Sequence, residues 1–208
     1  MHVHDALDRW TAALASPAAT PAGGAAAAVS AALASALVEM VAGMTGSRER
    51  YASVHDEANG ARTRGLELRK ELLALAWRDA AVFAGFERAL ALPKSTAEER
   101  VARAGAKAVA LREGAGVQFT VLERTAEVAE LAAKLAASGL ATAIGDSATA
   151  VFLAGGAARS AYWAVRSNLE EVEADAETAR WLRDGLGLVE RTEAAEWRVR
   201  QLLSERVR

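Results

Sequence analysis

Two aspartates stand where a carboxylate is out of place. Asp79 falls between Leu75 and Val82, on the apolar stripe that also carries Leu68, Leu72 and Phe86. A carboxylate facing a core loses its hydration, and its pKa rises toward the range of a general acid or base near neutral pH. The same spacing also fits an Asp at the stripe edge, facing solvent or paired with an Arg of another helix. Asp146 follows Ile144-Gly145 and precedes Ser147-Ala148-Thr149-Ala150-Val151. That is the setting of an ordinary helix N-cap. Glu39 interrupts the most apolar stretch of the chain, either as a buried acid or as the partner of an Arg or Lys. Pro21-Ala22-Gly23-Gly24 opens that stretch. A helix starting there has unsatisfied N–H groups that can hold a carboxylate or phosphate, although turn chemistry alone explains the residues too. There is no Gly-Lys-Ser/Thr ending and no GxGxxG pattern, so nucleotide-loop readings are excluded. Asn168 lies beside the face of Val165, Leu169 and Val172, where a buried amide either binds a ligand or ties two helices together. His2, His4 and His55 show no metal-ligand spacing with carboxylates, so no metal is expected.

The elements that must position these residues read as helices throughout. Ala, Leu, Glu and Arg dominate, and no stretch alternates in the manner of a strand. Val3, Leu7, Trp10 and Leu14 mark a first helix over about 5–14. The apolar segment 22–44 is long enough to cross a bilayer, but Ala and Gly supply most of its apolarity and Glu39 sits inside it. It reads as a buried helix, whose small residues Ala27, Ala31 and Ser35 allow close packing, including at a subunit interface. A long helix is expected over about 50–92, ended by Pro93. Ser95 with Glu98, or Thr96 with Glu99, forms a capping box that starts the next helix. That helix is expected to break at Gly114-Ala115-Gly116 and to stop at Ser138-Gly139. Further helices are expected from Asp146 or Ser147 to about Val172, from Asp175 to Leu182, and from Thr192 to Val207, with a loop at 185–187. The fold class is therefore all-α, a single antiparallel multi-helix bundle over 1–208.

Composition bounds the function. The 208 residues are 52% hydrophobic and 25% charged, with a net charge of −2, which gives no electrostatic footprint for nucleic acid or an anionic membrane. With no cysteine, disulfides, thiolate zinc sites and thiol nucleophiles are excluded. The N-terminus lacks the pattern of a signal peptide, so a cytoplasmic protein is expected.

In order and spacing these features resemble the cyclodeaminase/cyclohydrolase family of folate metabolism. Leu14-Ala15-Ser16 and Thr20-Pro21-Ala22-Gly23-Gly24 are similar to that family's Thr-Pro-Gly-Gly-Gly-Ser opening. Val38-Glu39-Met40-Val41, Met44-Thr45-Gly46 and Asp79-Ala80-Ala81-Val82-Phe83 follow in the family's order. Leu92-Pro93-Lys94-Ser95-Thr96-Ala97-Glu98-Glu99-Arg100 is the closest match. Ile144-Gly145-Asp146-Ser147-Ala148 and Val165-Arg166-Ser167-Asn168-Leu169 complete the set. The resemblance implies a homodimer acting on the one-carbon bridge of a tetrahydrofolate, with no metal or other cofactor. It places Asp79 and Asp146 as the acids at one site, near the Gly23-Gly24 helix start of the same or a partner chain. Pro21, Gly23, Gly24 and Asn168 are then substrate contacts, and Lys94 or Arg166 holds the anionic glutamate tail. A cyclohydrolase would add water to the methenyl carbon; a cyclodeaminase would close the ring from a formimino group and expel ammonia. Ala22, Ala25, Leu140, Gly145 and Ala164 stand where the family has Gly or polar residues. They support a competing reading, a non-catalytic relative that binds folate, another small molecule or a protein partner.

Overall fold

Helix formers in nearly unbroken runs give helices of unusual length. The computed structural model describes the backbone of residues 3–206 and the side chains of 5–205. His2 and Val207, both singled out in the sequence, lie outside the described residues. Six α-helices follow one another: α1 (Val3–Ala15), α2 (Gly23–Gly46), α3 (His55–Leu90), α4 (Ala97–Ser138), α5 (Ile144–Leu169) and α6 (Ala176–Arg206). Short 3-10 segments precede α3 (Glu49–Val54) and α5 (Ala141–Ala143), and no strand occurs among the described residues. The fold is the expected all-α bundle.

Successive long helices run antiparallel, with α2 between α3, α4 and α5. Small residues set the spacing. Ser35 Oγ donates to the Gly65 carbonyl at 2.8 Å, and a methyl on Gly65 would meet the Glu39 nitrogen at 3.3 Å, so the α2 and α3 backbones nearly touch. Ala27, Ala31 and Ser35 are all buried within the chain rather than on its surface. The exposed side of α2 carries larger residues, Leu33 at 56% and Met40 at 41% exposure. Glu39 takes the ion-pair alternative: Arg69 Nε lies 3.0 Å from its carboxylate.

The capping box at the start of α4 uses the Thr96 register. Glu99 N–H donates to Thr96 Oγ1 at 3.1 Å, and Thr96 N–H donates back to Glu99 Oε2 at 3.0 Å. Two expected breaks are absent. Helix α4 runs straight through Gly114-Ala115-Gly116, and α6 merges the two expected C-terminal helices through 185–187. These glycines make room for neighbours. A methyl on Gly116 would meet the Trp181 ring at 3.2 Å, and one on Gly185 the Tyr162 ring at 3.0 Å. Asp175 does cap α6, accepting the Thr178 N–H at 2.9 Å, and Arg112 reaches it at 2.6 Å from α4. This pairing holds the Asp175 carboxyl down to about 2.

Candidate active site around Asp79

Helix α2 begins without a side-chain cap of its own, because Ala22 occupies the N-cap position. The first-turn N–H groups need an acceptor from elsewhere. Asp79, midway along α3, supplies it: its half-buried carboxylate accepts the Ala25 N–H. From the other side, Gln118 of α4 donates its Nε2 to Asp79 Oδ1 at 2.7 Å. Gln118 is 1% exposed, and its Oε1 is buried with no partner among the described residues.

Gly24 is what permits this seat. A methyl there would meet Asp79 Oδ1 at 2.6 Å and Oδ2 at 2.8 Å, and would also collide with the Gln118 amide. The Gly23-Gly24 helix start therefore holds a carboxylate, as helix N-termini do, but that carboxylate belongs to the protein.

Burial pushes the Asp79 carboxyl above its ordinary value, and the hydrogen bonds from Gln118 and Ala25 offset part of the rise. A glutamine amide can donate to a carboxylate or, turned over, accept from a carboxylic acid. Asp79 thus keeps a partner in both protonation states, which suits a group that gives and takes a proton.

Asn168 lies close to this seat. Its amide nitrogen sits 3.0 Å from where a methyl on Gly114 would stand, and Val82 lies 3.8 Å from the same point. Gly114 is one helical turn before Gln118, and Val82 is just under a turn beyond Asp79. Among the described residues the Asn168 amide forms no hydrogen bond to a second helix, so it does not tie the bundle. Pro21 lies just before the α2 start and lines an adjoining groove with Ala25, Ala76 and Ala80.

The other expected site residues lie elsewhere. Asp146 is not the N-cap of α5, since Ala143 takes that position and Asp146 lies inside the first turn. It stands at the opposite end of the bundle from Asp79. Leu140, just before α5, donates its N–H to Thr45 Oγ1 at 2.9 Å at the far end of α2. Gly24 and Thr45 are about 30 Å apart along the helix. Within one chain the two aspartates share no cavity. Lys94 is exposed in the α3–α4 loop, past Leu90, where α3 has already run about 16 Å beyond Asp79. Arg166 lies with its guanidinium 4.7 Å over the Trp163 ring on the outer face of α5.

Gln118 was missed in the sequence. The available signal was of the same kind as for Asp79, a polar residue on a face shared with Ala115, Val121 and Leu122.

The structure thus sets a half-buried acid between a helix start and a buried amide in an all-α bundle. Residues 6–186 match the formiminotransferase-cyclodeaminase family, and the chain belongs to it. A methenyltetrahydrofolate cyclohydrolase from Methylorubrum extorquens is 30% identical over 170 residues, spanning 82% of each chain. The crystal structure of a formiminotetrahydrofolate cyclodeaminase from Thermotoga maritima superposes with a TM-score of 0.80 at 27% identity, covering 100% of this chain and 98% of the other.

Proposed function

We propose that the chain is a folate one-carbon enzyme that acts at the bridge between N5 and N10 of a tetrahydrofolate, with Asp79 as its proton carrier. The observation that carries this reading is the Asp79 seat: a half-buried acid of raised pKa, held by the α2 start and Gln118. Hydrolysis of the methenyl bridge is the first reaction to test, because the relative at 30% identity is a cyclohydrolase. Water attacks the cationic methenyl carbon, and the Asp79 carboxylate takes its proton. The carbon–N5 bond then breaks as Asp79 returns a proton to N5, and the carbinol hydroxyl loses its remaining proton to solvent as it becomes the formyl carbonyl on N10. The cyclodeaminase reaction places the same demand on Asp79. There N10 attacks the formimino carbon, the N10 proton passes to the departing nitrogen, and with one more proton from Asp79 that nitrogen leaves as ammonia.

A homodimer forms part of the proposal. The exposed face of α2 presents Val29, Leu33, Leu37, Met40 and Met44 at helical spacing, without a charge among them. Such a face on a core helix favours cover by a second copy. A two-fold axis across the middle of α2 would set the Asp146 end of one chain beside the Asp79 end of the other. In that arrangement both acids serve one site.

The test is a side-by-side absorbance assay with methenyl- and formimino-tetrahydrofolate, using wild type and Asp79→Asn. Turnover of one substrate, abolished by Asp79→Asn, supports the proposal. No turnover of either by the wild type points instead to a non-catalytic relative.

A further inference from the structure

The surroundings of Asp79 differ on its two sides. On one side lie the amides of Gln118 and Asn168. On the other, Ala76 and Ala80 of the same helix and Ala25, the residue whose N–H binds the carboxylate, form one wall of a groove of about 570 Å3. Helix α1 closes the groove with Trp10, and α3 adds Trp77. Trp77 is 70% exposed, a large indole face with little cover. Polar character enters at the edges, with Thr20 on the α1–α2 connection and the cationic Arg9 on α1.

A tetrahydrofolate has the same asymmetry about its one-carbon bridge. On the N5 side is a pterin rich in donors and acceptors; on the N10 side is a benzoyl ring, flat and apolar, ending in an anionic glutamate. We infer that the Trp10–Trp77 groove binds the p-aminobenzoyl ring of the substrate, with the pterin directed toward the Gln118 and Asn168 amides. This rests on the proposed folate reading and extends it by fixing which half of the substrate goes where. Three features point to this occupant. The groove begins at the backbone of the acid that must reach the bridge. Its indoles give an aromatic ring stacking surfaces. A pterin in the same place would bury its polar edge against alanines and tryptophans, at the cost of unmade hydrogen bonds. On the amide side, Asn168 is only half-buried and its amide forms no hydrogen bond to a second helix among the described residues, which leaves it for the polar edge of a pterin.

The test uses two fragments and two variants. Binding of p-aminobenzoylglutamate and of 6-methylpterin is measured by calorimetry on wild type, Trp10→Leu and Trp77→Ala, with circular dichroism to confirm folding. Both substitutions lie at a surface groove, and either variant alone suffices if the other misfolds. Each is expected to weaken p-aminobenzoylglutamate about tenfold while leaving 6-methylpterin within twofold. In turnover, KM should rise about tenfold with kcat within threefold. Unchanged p-aminobenzoylglutamate binding in the variants, or a loss that falls on the pterin instead, overturns the inference. So does dissociation of a dimer by either variant with fragment binding intact, which would make the groove a subunit interface. Failure of the folate reading looks different: the wild type binds p-aminobenzoylglutamate through the two indoles but turns over neither folate.

Discussion

Gly24→Ala tests the Asp79 seat directly, because the added methyl goes where the carboxylate is. It would stand 2.6 and 2.8 Å from the two carboxylate oxygens, both inside any contact a real methyl makes. The backbone at the start of α2 is held between α3, α4 and α5, so the side chains must move. Asp79 then loses the Ala25 N–H or the Gln118 amide. A hydrogen bond to a charged group contributes about 1.5–3 kcal/mol, and alanine returns at most about 1 kcal/mol in helix propensity. The net cost is about 1–2 kcal/mol, or about 2–8 °C in Tm for a domain of this size. Activity should fall further, since a displacement of about 1 Å in a catalytic group can cost about a hundredfold in rate. Gly23→Ala is the stability control, as a methyl there meets nothing within 4 Å. Calorimetry and initial rates on both variants decide the matter. If Gly24→Ala melts at or above wild type and keeps its kcat within twofold, the carboxylate does not occupy that seat.

Asp79→Asn should lower kcat by at least about a hundredfold. Its Tm at neutral pH should equal or exceed that of wild type: the folded pKa is raised, so the stability this carboxyl confers is present in acid and lost as pH rises through that pKa. The difference in Tm should vanish below about pH 4, and a variant clearly less stable at pH 7 would contradict the burial argument. Thr96→Ala removes half of the capping box and should cost about 1 kcal/mol with no change in activity, read by thermal melting. Leu33→Glu places a charge in the exposed α2 face and should shift the sedimenting species from dimer to monomer; a wild type that is already monomeric at micromolar concentration would remove the basis for that expectation.

Legibility in the sequence followed the range of the interactions. Local signals held. The Thr96–Glu99 box, the end of α4 near Ser138 and the Asp175 cap depend on residues within one turn of each other. Gly116 and Gly185 misled because nothing local separates a glycine that ends a helix from one that admits a neighbour. Trp181 lies 65 positions from Gly116 in the chain, and only the fold brings it there. Asp79 was legible because its stripe is long and strongly periodic. Its partners were not: the Ala25 N–H and the Gln118 amide come from two other helices. Asp146 was placed at the same site by family resemblance alone, and within one chain the length of α2 keeps it away. That Lys94 lies past the end of α3 and Arg166 faces outward from α5 follows from helix lengths and phases, which motif order does not contain.

Opposed influences on Asp79 give the proposed reaction a further consequence. Burial favours the neutral acid, while the α2 start and Gln118 favour the anion; burial prevails in the free chain. A bound methenyl bridge adds a third influence, a positive charge next to the carboxylate. An adjacent cation lowers a carboxyl pKa, so binding should drive Asp79 toward the ionised form that accepts the proton from water. Once the bridge opens to a neutral formyl group the cation is gone, and the proton affinity recovers for the next cycle. The kcat/KM profile reports the free chain and the kcat profile the complex. The acid limb of kcat should therefore lie at lower pH than that of kcat/KM, and Asp79→Asn should lose both limbs along with the activity. Coincident limbs, or a kcat limb displaced to higher pH, would mean that Asp79 does not face the cationic carbon and would leave its raised pKa a consequence of burial alone.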